Sequence, residues 1–378
     1  MEEEKLRFSP SLCVTHNCNL NCVYCYQKHD ASRMSLETAK NAVDWIFDNI
    51  PAYSNGVEIG LIGGEPLLEV ELIKDLFAYT RSKPNADNYI FFATTNGTLL
   101  TDTQKEWFSA NKDLVVLGLS LDGVRETHNR NRCGSFDKID FDFFLRNWRD
   151  QGVKMTLSEH SIKNLAENIK FIHSLGFTRI SGVNLSEGNF DWNRDEYIRI
   201  LIPQLMELVE FYMENEALAL DQMFDKHVGL CEVNDGGKKG WCGIGTGTPF
   251  FDVDGRRFPC SFVTPMTFSE TELNEIMKTD FTNQELFVDD DCFNNCYIFP
   301  ICPTCAGANY LCGRTFKKRN KNQCRVQKLI SVFIADLTAR RIIRNPGIYD
   351  DYRRYHTIEA INKIRELYLP EFAFFMDL

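Results

Sequence analysis

Short apolar or β-branched runs recur along the first half of the chain, each followed by a stretch whose apolar positions return every three or four residues. Val57-Glu-Ile-Gly-Leu-Ile62, Tyr89-Ile-Phe-Phe-Ala-Thr94, Leu114-Val-Val-Leu-Gly-Leu-Ser120, Val153-Lys-Met-Thr-Leu157 and Arg179 to Leu185 read as buried parallel strands, with Phe8 to Val14 supplying the first. Leu36, Ala39, Val43, Ile46, Phe47 and Ile50 fall on one helical face behind an N-cap at Ser35. Ile162, Leu165, Ile169 and Ile172 form a second face, and Tyr197 to Met213 a longer third. Six βα units of this kind predict an α/β fold built on a partial (β/α)6 TIM-like barrel, because parallel strands need right-handed crossover helices.

From about residue 220 the pattern gives way to Gly, Cys, Asn and turn residues, with a hairpin expected around Val253-Asp-Gly-Arg256. Little apolar surface is available there, so bound metal has to take the place of a core. Val326 to Arg344 then reads as a helix, and Ile358, Ile361, Ile364 and Leu367 mark a shorter one. The expected domains are the barrel at 8–220, a Cys-rich metal-holding domain at 225–330 and C-terminal helices at 331–378.

At 378 residues the chain is long enough for one large domain and a smaller one. A formal charge of −11 argues against non-specific binding to nucleic acid or to an anionic membrane, since both require a surplus of Lys and Arg. No apolar run is long enough to span a bilayer, and the start Met1-Glu-Glu-Glu-Lys-Leu-Arg-Phe8 lacks the apolar core of a signal peptide, so a cytoplasmic location is expected. Of the 14 Cys, four lie in residues 13 to 25, one at 133 and nine between 231 and 324. In a reducing cytosol such thiols remain free to bind metal.

Cys18-Asn-Leu-Asn-Cys22-Val-Tyr-Cys25 puts three thiolates on the loop after the first strand, the face where barrel enzymes place their chemistry. Three thiolates hold three irons of a cubane and leave the fourth open to another ligand. A zinc site completed by His16 or Cys13 is the alternative for cysteine triplets in general.

The CxxxCxxC spacing with an aromatic before its last Cys resembles the radical S-adenosylmethionine (SAM) superfamily, and further motifs follow in that family's order. Gly63-Gly64-Glu65-Pro66 ends the second strand, Thr95-Asn96-Gly97 the third and Ser120-Leu-Asp122-Gly123 the fourth, before His128-Asn-Arg-Asn-Arg132. The resemblance implies that Cys18, Cys22 and Cys25 hold a catalytic [4Fe–4S] cluster. It also implies that Gly63, Gly64, Glu65, Ser120, Asp122 and Arg132 bind SAM, with Tyr24, Asn96 and Leu185 completing the set. Physical chemistry agrees, since an ammonium group wants a carboxylate such as Glu65 and a carboxylate wants a guanidinium such as Arg132.

Further along, Cys242-x12-Gly255-x4-Cys260 is followed by Cys292-x3-Cys296-x5-Cys302-x2-Cys305 and then Cys324. This resembles the SPASM extension of radical SAM enzymes that modify peptides and proteins, with the two outer spacers of the second half exchanged. By order, the resemblance implies one auxiliary [4Fe–4S] cluster on Cys292, Cys296, Cys302 and Cys324 and a second on Cys242, Cys260 and Cys305. Cys231 and Cys312 are candidates for the missing ligand of the second, which otherwise has an open iron. A zinc ribbon built from the same cysteines is the alternative.

The function so implied is a peptide maturase, in which SAM is cleaved reductively to a 5′-deoxyadenosyl radical that abstracts hydrogen from a ribosomally made precursor peptide. A thioether or carbon–carbon crosslink follows. The partners implied are a precursor peptide and a flavodoxin or ferredoxin electron donor. Because only about eight residues precede the first strand, leader binding is expected from a separate leader-recognition protein, the barrel face or the C-terminal helices. The rival is formylglycine formation, as in the similar anaerobic sulfatase-maturating enzymes. In those an Asp base directly follows the Cys of the Gx4C motif, whereas Ser261 stands here, leaving Asp252 or Asp254 as substitutes. Three thiolate sets predict roughly twelve irons per chain after anaerobic reconstitution. Replacing Cys18, Cys22 and Cys25 together by Ala should remove one cluster and all release of 5′-deoxyadenosine, and iron analysis that shows no loss would refute the assignment.

Overall fold

The computed structural model describes residues 8–84, 86–186, 190–233 and 241–376, so the charged start that argues against a signal peptide lies outside the described residues. The chain divides into two compact units, one made of residues 1–121, 132–151 and 243–283 and the other of 122–131, 152–242 and 284–378. Its described strands are β1 (Ser11–Thr15), β2 (Val57–Gly63), β3 (Tyr89–Thr95), β4 (Val115–Leu119), β5 (Val153–Leu157), β6 (Ile180–Leu185), β7 (Phe250–Phe251) and β8 (Arg257–Phe258). All six expected parallel strands are present.

In the first unit the strands pair in the order β4-β3-β2-β1-β7-β8, with every pairing parallel except β7 to β8. β1 starts later than the apolar pattern suggests because Pro10 has no N–H to give, although its carbonyl still accepts from Gly60 at 2.8 Å. β1 is buried along four of its five residues, as a strand covered on both faces must be. The helix Leu36–Asp48 is capped as expected, Ser35 Oγ accepting from Thr38 N–H at 3.0 Å, and buries Ala39, Ala42, Val43, Ile46 and Phe47. Ile50 falls beyond it, because the Asn49 N–H already turns back to the Ile46 carbonyl. Phe77 meets Phe91 and Trp107 edge to face, at 6.3 and 5.6 Å between ring centroids, and fills the layer beneath β3. The predicted hairpin forms at Asp252–Arg256, where Gly255 takes the φ of 84° that the turn requires.

In the second unit β5 pairs in parallel with β6, Met155 opposite Val183 and Leu157 opposite Leu185. The helices Leu165–Ser174 and Asp195–Glu214 follow, and Cys324–Arg344 packs against Asp351–Phe372. This last helix corrects the expectation of a short one, since it runs for 22 residues. Its buried stripe is Thr357, Ile361, Ile364, Tyr368 and Phe372, whereas Ile358 and Leu367 are 40% and 47% exposed. Two aromatic residues late in the helix turn the packed face away from the one that aliphatic spacing suggests. Among the described residues no helix is long and apolar enough to cross a membrane.

Asp221 ties this unit together. Fully buried, it accepts from the Tyr212 hydroxyl at 2.9 Å and from Met223 N–H at 2.8 Å, while Gln222 N–H reaches the Ile180 carbonyl on β6. Burial raises its carboxyl to about 6, against the pull of those hydrogen bonds. The folded state therefore holds a proton that the unfolded chain releases, so this group's contribution is complete below the unfolded value near 4 and is lost as pH rises through about 6. Relative to an Asp221→Asn variant, the wild type should lose about 3 kcal/mol of stability between pH 4 and 7, which denaturant unfolding of both proteins at a series of pH values will measure.

Candidate active site

The cysteine loop leaves the end of β1 and returns to it. His16 N–H and the Thr15 hydroxyl both donate to the Ser32 carbonyl, at 2.9 and 3.0 Å, and Met34 N–H donates to the Val14 carbonyl. Inside this closed loop Cys18 and Cys22 are half-buried and Cys25 is exposed, with the Cys25 N–H bonded to the Cys22 carbonyl at 3.0 Å. The end of β2 lies directly against it, Gly64 N–H donating to the Thr15 carbonyl and Glu65 N–H to the Asn17 carbonyl. A Cβ on Gly63 would stand 2.2 Å from the Thr15 carbonyl oxygen, and one on Gly64 would stand 2.3 Å from the Asn17 oxygen. The two glycines are what let the strand end and the loop touch.

Glu65 is 2% exposed and accepts three hydrogen bonds, from Leu67 N–H, the Thr95 hydroxyl and Asn96 N–H, at 3.0, 2.7 and 2.8 Å. Burial raises its carboxyl, while these donors and the Arg132 charge oppose the rise. A carboxylate offers about four lone-pair positions, so one remains for a cationic ligand. Asn96 carries the connection onward, its Nδ2 donating to Asn19 Oδ1 within the cysteine loop at 2.8 Å. The Arg132 guanidinium is buried and sits 5.5 Å from the Tyr24 ring centre. Burial pushes the Cys18 thiol up, with Glu65 and Cys25 adding to the rise and Arg132 opposing it. Cys18, Cys25, Glu65 and Arg132 thus share one electrostatic environment. Ser120, also buried, donates its N–H to the Thr95 carbonyl.

The other two expected SAM-binding residues belong to the second unit. Asp122 is wholly buried, Oδ1 accepting from Thr156 N–H and Oδ2 from Asn131 Nδ2, both at 3.1 Å. Leu185 is buried at the end of β6.

In the sequence His16 stands out only as a residue that would complete a zinc site, and the structure shows what it holds. Its ring is 5% exposed, with Nε2 2.8 Å from Asp252 Oδ1 and Nδ1 3.3 Å from Asp30 Oδ2. The Asp252 hydrogen bond is the main cause that raises its pKa, and Asp30 adds to it. Buried Cys13 lies beside this pair, its Sγ 3.5 Å from the Thr15 carbonyl. Asp252, one of the two candidate substitute bases, is therefore committed to His16, and Asp254 pairs with Arg256 at the surface. Ser261 is half-buried beside Phe262, whose ring stacks on Tyr26 at 4.3 Å.

The second cysteine group surrounds a cavity of about 260 Å³ in the second unit. Cys292, Cys296, Cys302 and Cys324, expected as one ligand set, all line it, and so does Cys305, expected in the other. Most of them stand at helix ends: Cys292 and Cys296 on Asp290–Asn295 and its C-cap, Cys305 at the N-cap of Ala306–Gly313, Cys324 at the start of Cys324–Arg344. Burial pushes the Cys324 thiol up to about 11, and burial likewise raises Cys302, each worsened by the neighbouring thiols. Sulfurs kept from ionising by burial, and in smaller part by one another, fit a multivalent cationic centre, as in an iron–sulfur cubane. Cys231 lies beside Cys296, which together with Glu232 adds to the burial that lifts its thiol to about 12. Cys312 accepts from Asn320 Nδ2 at 3.6 Å. Cys242 is exposed in the second unit, and Cys260 half-buried in the first.

Cations that no motif announces line this cavity, Lys321 and Arg319 among them, and Lys226 reaches its wall through Gln327. Lys321 Nζ donates to Cys292 Sγ at 2.8 Å, and the Arg319 guanidinium donates to the Cys302 carbonyl at 3.1 Å. Lys226, its amine pushed down to about 8 by burial against the pull of Cys302, donates to Gln327 at 3.2 Å.

Residues 12–199 match the Radical SAM superfamily. A cysteine-type anaerobic sulfatase-maturating enzyme of Clostridium perfringens is 28% identical over 300 residues, covering 72% of this chain and 78% of that protein. Among the sequence relatives, one is matched over 59% of its own length and another over as little as 27%. Among solved structures, anSMEcpe with bound AdoMet superposes with a TM-score of 0.70 at 18% identity, over 93% of this chain and 98% of that one. SuiB of Streptococcus suis bound to precursor peptide SuiA gives 0.57 at 14% identity, over 84% and 76%. The chain belongs to the Radical SAM superfamily, whose members use a [4Fe–4S] cluster and SAM.

The contact between Gly64 and the cysteine loop is directly testable. Gly64→Ala should displace Cys18, whose Cβ would lie 2.8 Å from the new methyl carbon, and lower iron by about four atoms per chain. Gly247→Ala, where the added carbon meets open space, should retain full iron in the same assay.

Proposed function

We propose that this protein is a radical SAM peptide maturase that crosslinks a ribosomally made precursor peptide. The observation that carries the reading is the thiol-lined cavity of the second unit, which a SAM-cleaving enzyme needs only if its reaction also requires an auxiliary metal centre. In this reading the domains run 8–220, 225–330 and 331–378. Cys18, Cys22 and Cys25 hold the SAM-binding cluster, Glu65 takes the ammonium of SAM through its remaining lone pair, and Arg132 takes its carboxylate. Tyr24, Gly63, Gly64, Asn96, Ser120, Asp122 and Leu185 shape the rest of that pocket. Cys292, Cys296, Cys302 and Cys324 hold one auxiliary cluster, and Cys242, Cys260 and Cys305, with Cys231 as the extra thiol, a second.

When bound, these groups supply the electron that splits SAM into methionine and a 5′-deoxyadenosyl radical, and take up the electron that bond formation releases. The hydrogen atom drawn from the peptide leaves as 5′-deoxyadenosine. A substrate carbon radical that joins a Cys thiolate forms the C–S bond and gives up one electron, so no protein base is needed for a proton on sulfur. The alternative, formylglycine formation, is supported by the likeness to the sulfatase-maturating enzymes over most of the chain. It needs a base, and here Ser261 stands at the expected position while Asp252 is held by His16. The substrate class is supported by SuiB, a structural neighbour bound to a precursor peptide. A flavodoxin or ferredoxin donor, a separate leader-recognition protein and a cytoplasmic location complete the proposal.

Mass spectrometry of a modified peptide decides between the two chemistries. A loss of two hydrogens with a Cys no longer open to alkylation, or with two carbons joined, is the expected result. An aldehyde trapped by a hydrazine reagent would restore formylglycine formation.

A further inference from the structure

We propose that Lys226 and Lys321 raise the reduction potential of the cluster held by Cys292, Cys296, Cys302 and Cys324, as positioning charges and not as ligands. The inference rests on the cluster assignment above and goes beyond it, because neither lysine belongs to any cysteine motif.

An ammonium removed from water needs an anion facing it. Lys226 donates to Gln327 Oε1 at 3.2 Å, and that amide oxygen carries no charge. The charged groups that act on it are Cys302, the larger effect, and Asp221. Both Asp221 oxygens are already engaged, by the Tyr212 hydroxyl and by Met223 N–H. Asp221 supplies part of the compensating charge, and the cavity side, where Cys302 stands and whose wall Gln327 forms, supplies the larger part.

Lys321 approaches another sulfur. Its ammonium donates to Cys292 Sγ at 2.8 Å and to Asp291 Oδ2 at 3.3 Å, with Asp289 Oδ2 as an ion-pair partner at 3.7 Å. Asp289 is fully buried and also holds Arg319 N–H and Lys318, which fixes the loop that presents Lys321. The carboxylates locate the amine, and the remaining N–H is aimed at the sulfur.

One-electron reduction adds a negative charge to a thiolate-bound cluster. A cation behind the cavity wall at Gln327 and an N–H donor to a ligand sulfur both stabilise that added charge, so they favour the reduced form. A cluster so placed is suited to accepting an electron, in keeping with oxidative closure of a crosslink.

The test is potentiometric titration of the fully reconstituted chain, followed by electron paramagnetic resonance. The signal belonging to this cavity is the one lost, together with iron, in Cys302→Ala. In Lys226→Met and Lys321→Gln that signal should shift to a more negative midpoint potential, with iron content unchanged and the other signals unmoved. Lys321→Arg, which keeps the charge and a donor, should return it towards the wild-type value. Should Lys226→Met fail to load iron, the half-exposed Lys321 pair of variants decides. Wild-type potentials in Lys321→Gln at full iron would overturn the proposal while leaving the cluster assignment intact. If Cys302→Ala loses neither iron nor a signal, the cluster assignment fails and the proposal falls with it.

Discussion

A carboxylate almost out of reach of water has to be held by donors on every side, and Glu65 organises the first unit for that reason. Its own N–H grips the cysteine loop at Asn17, its oxygens take the end of β3 through Thr95 and Asn96, and Asn96 returns to the loop at Asn19. Three pieces of chain far apart in sequence are thereby fixed around one charge. Loss of that charge would leave several buried donors without an acceptor, a larger penalty than the loss of any single hydrogen bond. Positioning of the thiols and preparation of a cation-binding spot are thus one piece of physics.

The parts legible in the sequence are those governed by short spacing. Strand runs, the Ser35 cap, the hairpin at Gly255 and the order of the motifs all depend on neighbours within a few residues, and apart from the later start of β1 they stand where the pattern placed them. Where packing between distant elements decides, the pattern misleads. Ile50 lies past its helix, and Ile358 and Leu367 face outward because Tyr368 and Phe372 choose the buried side of the last helix. The His16–Asp252 contact joins residues 236 apart, and no spacing rule could have paired them. The same holds for Lys226 and Lys321, whose role is visible only once the loops that carry them close around the cavity.

Two kinds of core coexist in this chain. Beneath β3 and along the C-terminal helices, burial of aromatic and aliphatic side chains supplies the driving force, and the packed layers are continuous. Around the cavity of the second unit, thiols, amides and cations share the lining with Ile298, Pro303 and Tyr368. Such a region gains its cohesion from what it binds, so its folding and its loading are thermodynamically linked.

The strand order of the first unit also has a consequence in time. β1 emerges from the ribosome more than two hundred residues ahead of β7, yet one of its two edges pairs with β7, and His16 waits for Asp252. At synthesis rates of roughly 5 to 20 residues per second, that edge stays open for about ten to fifty seconds. Throughout that interval the nascent cysteine loop is tethered on one side only, with its thiols within reach of cellular oxidants and of whatever machinery delivers iron. Maturation of this protein is therefore a race set by the length of chain between two contacts, and the late hairpin is the latch that ends it.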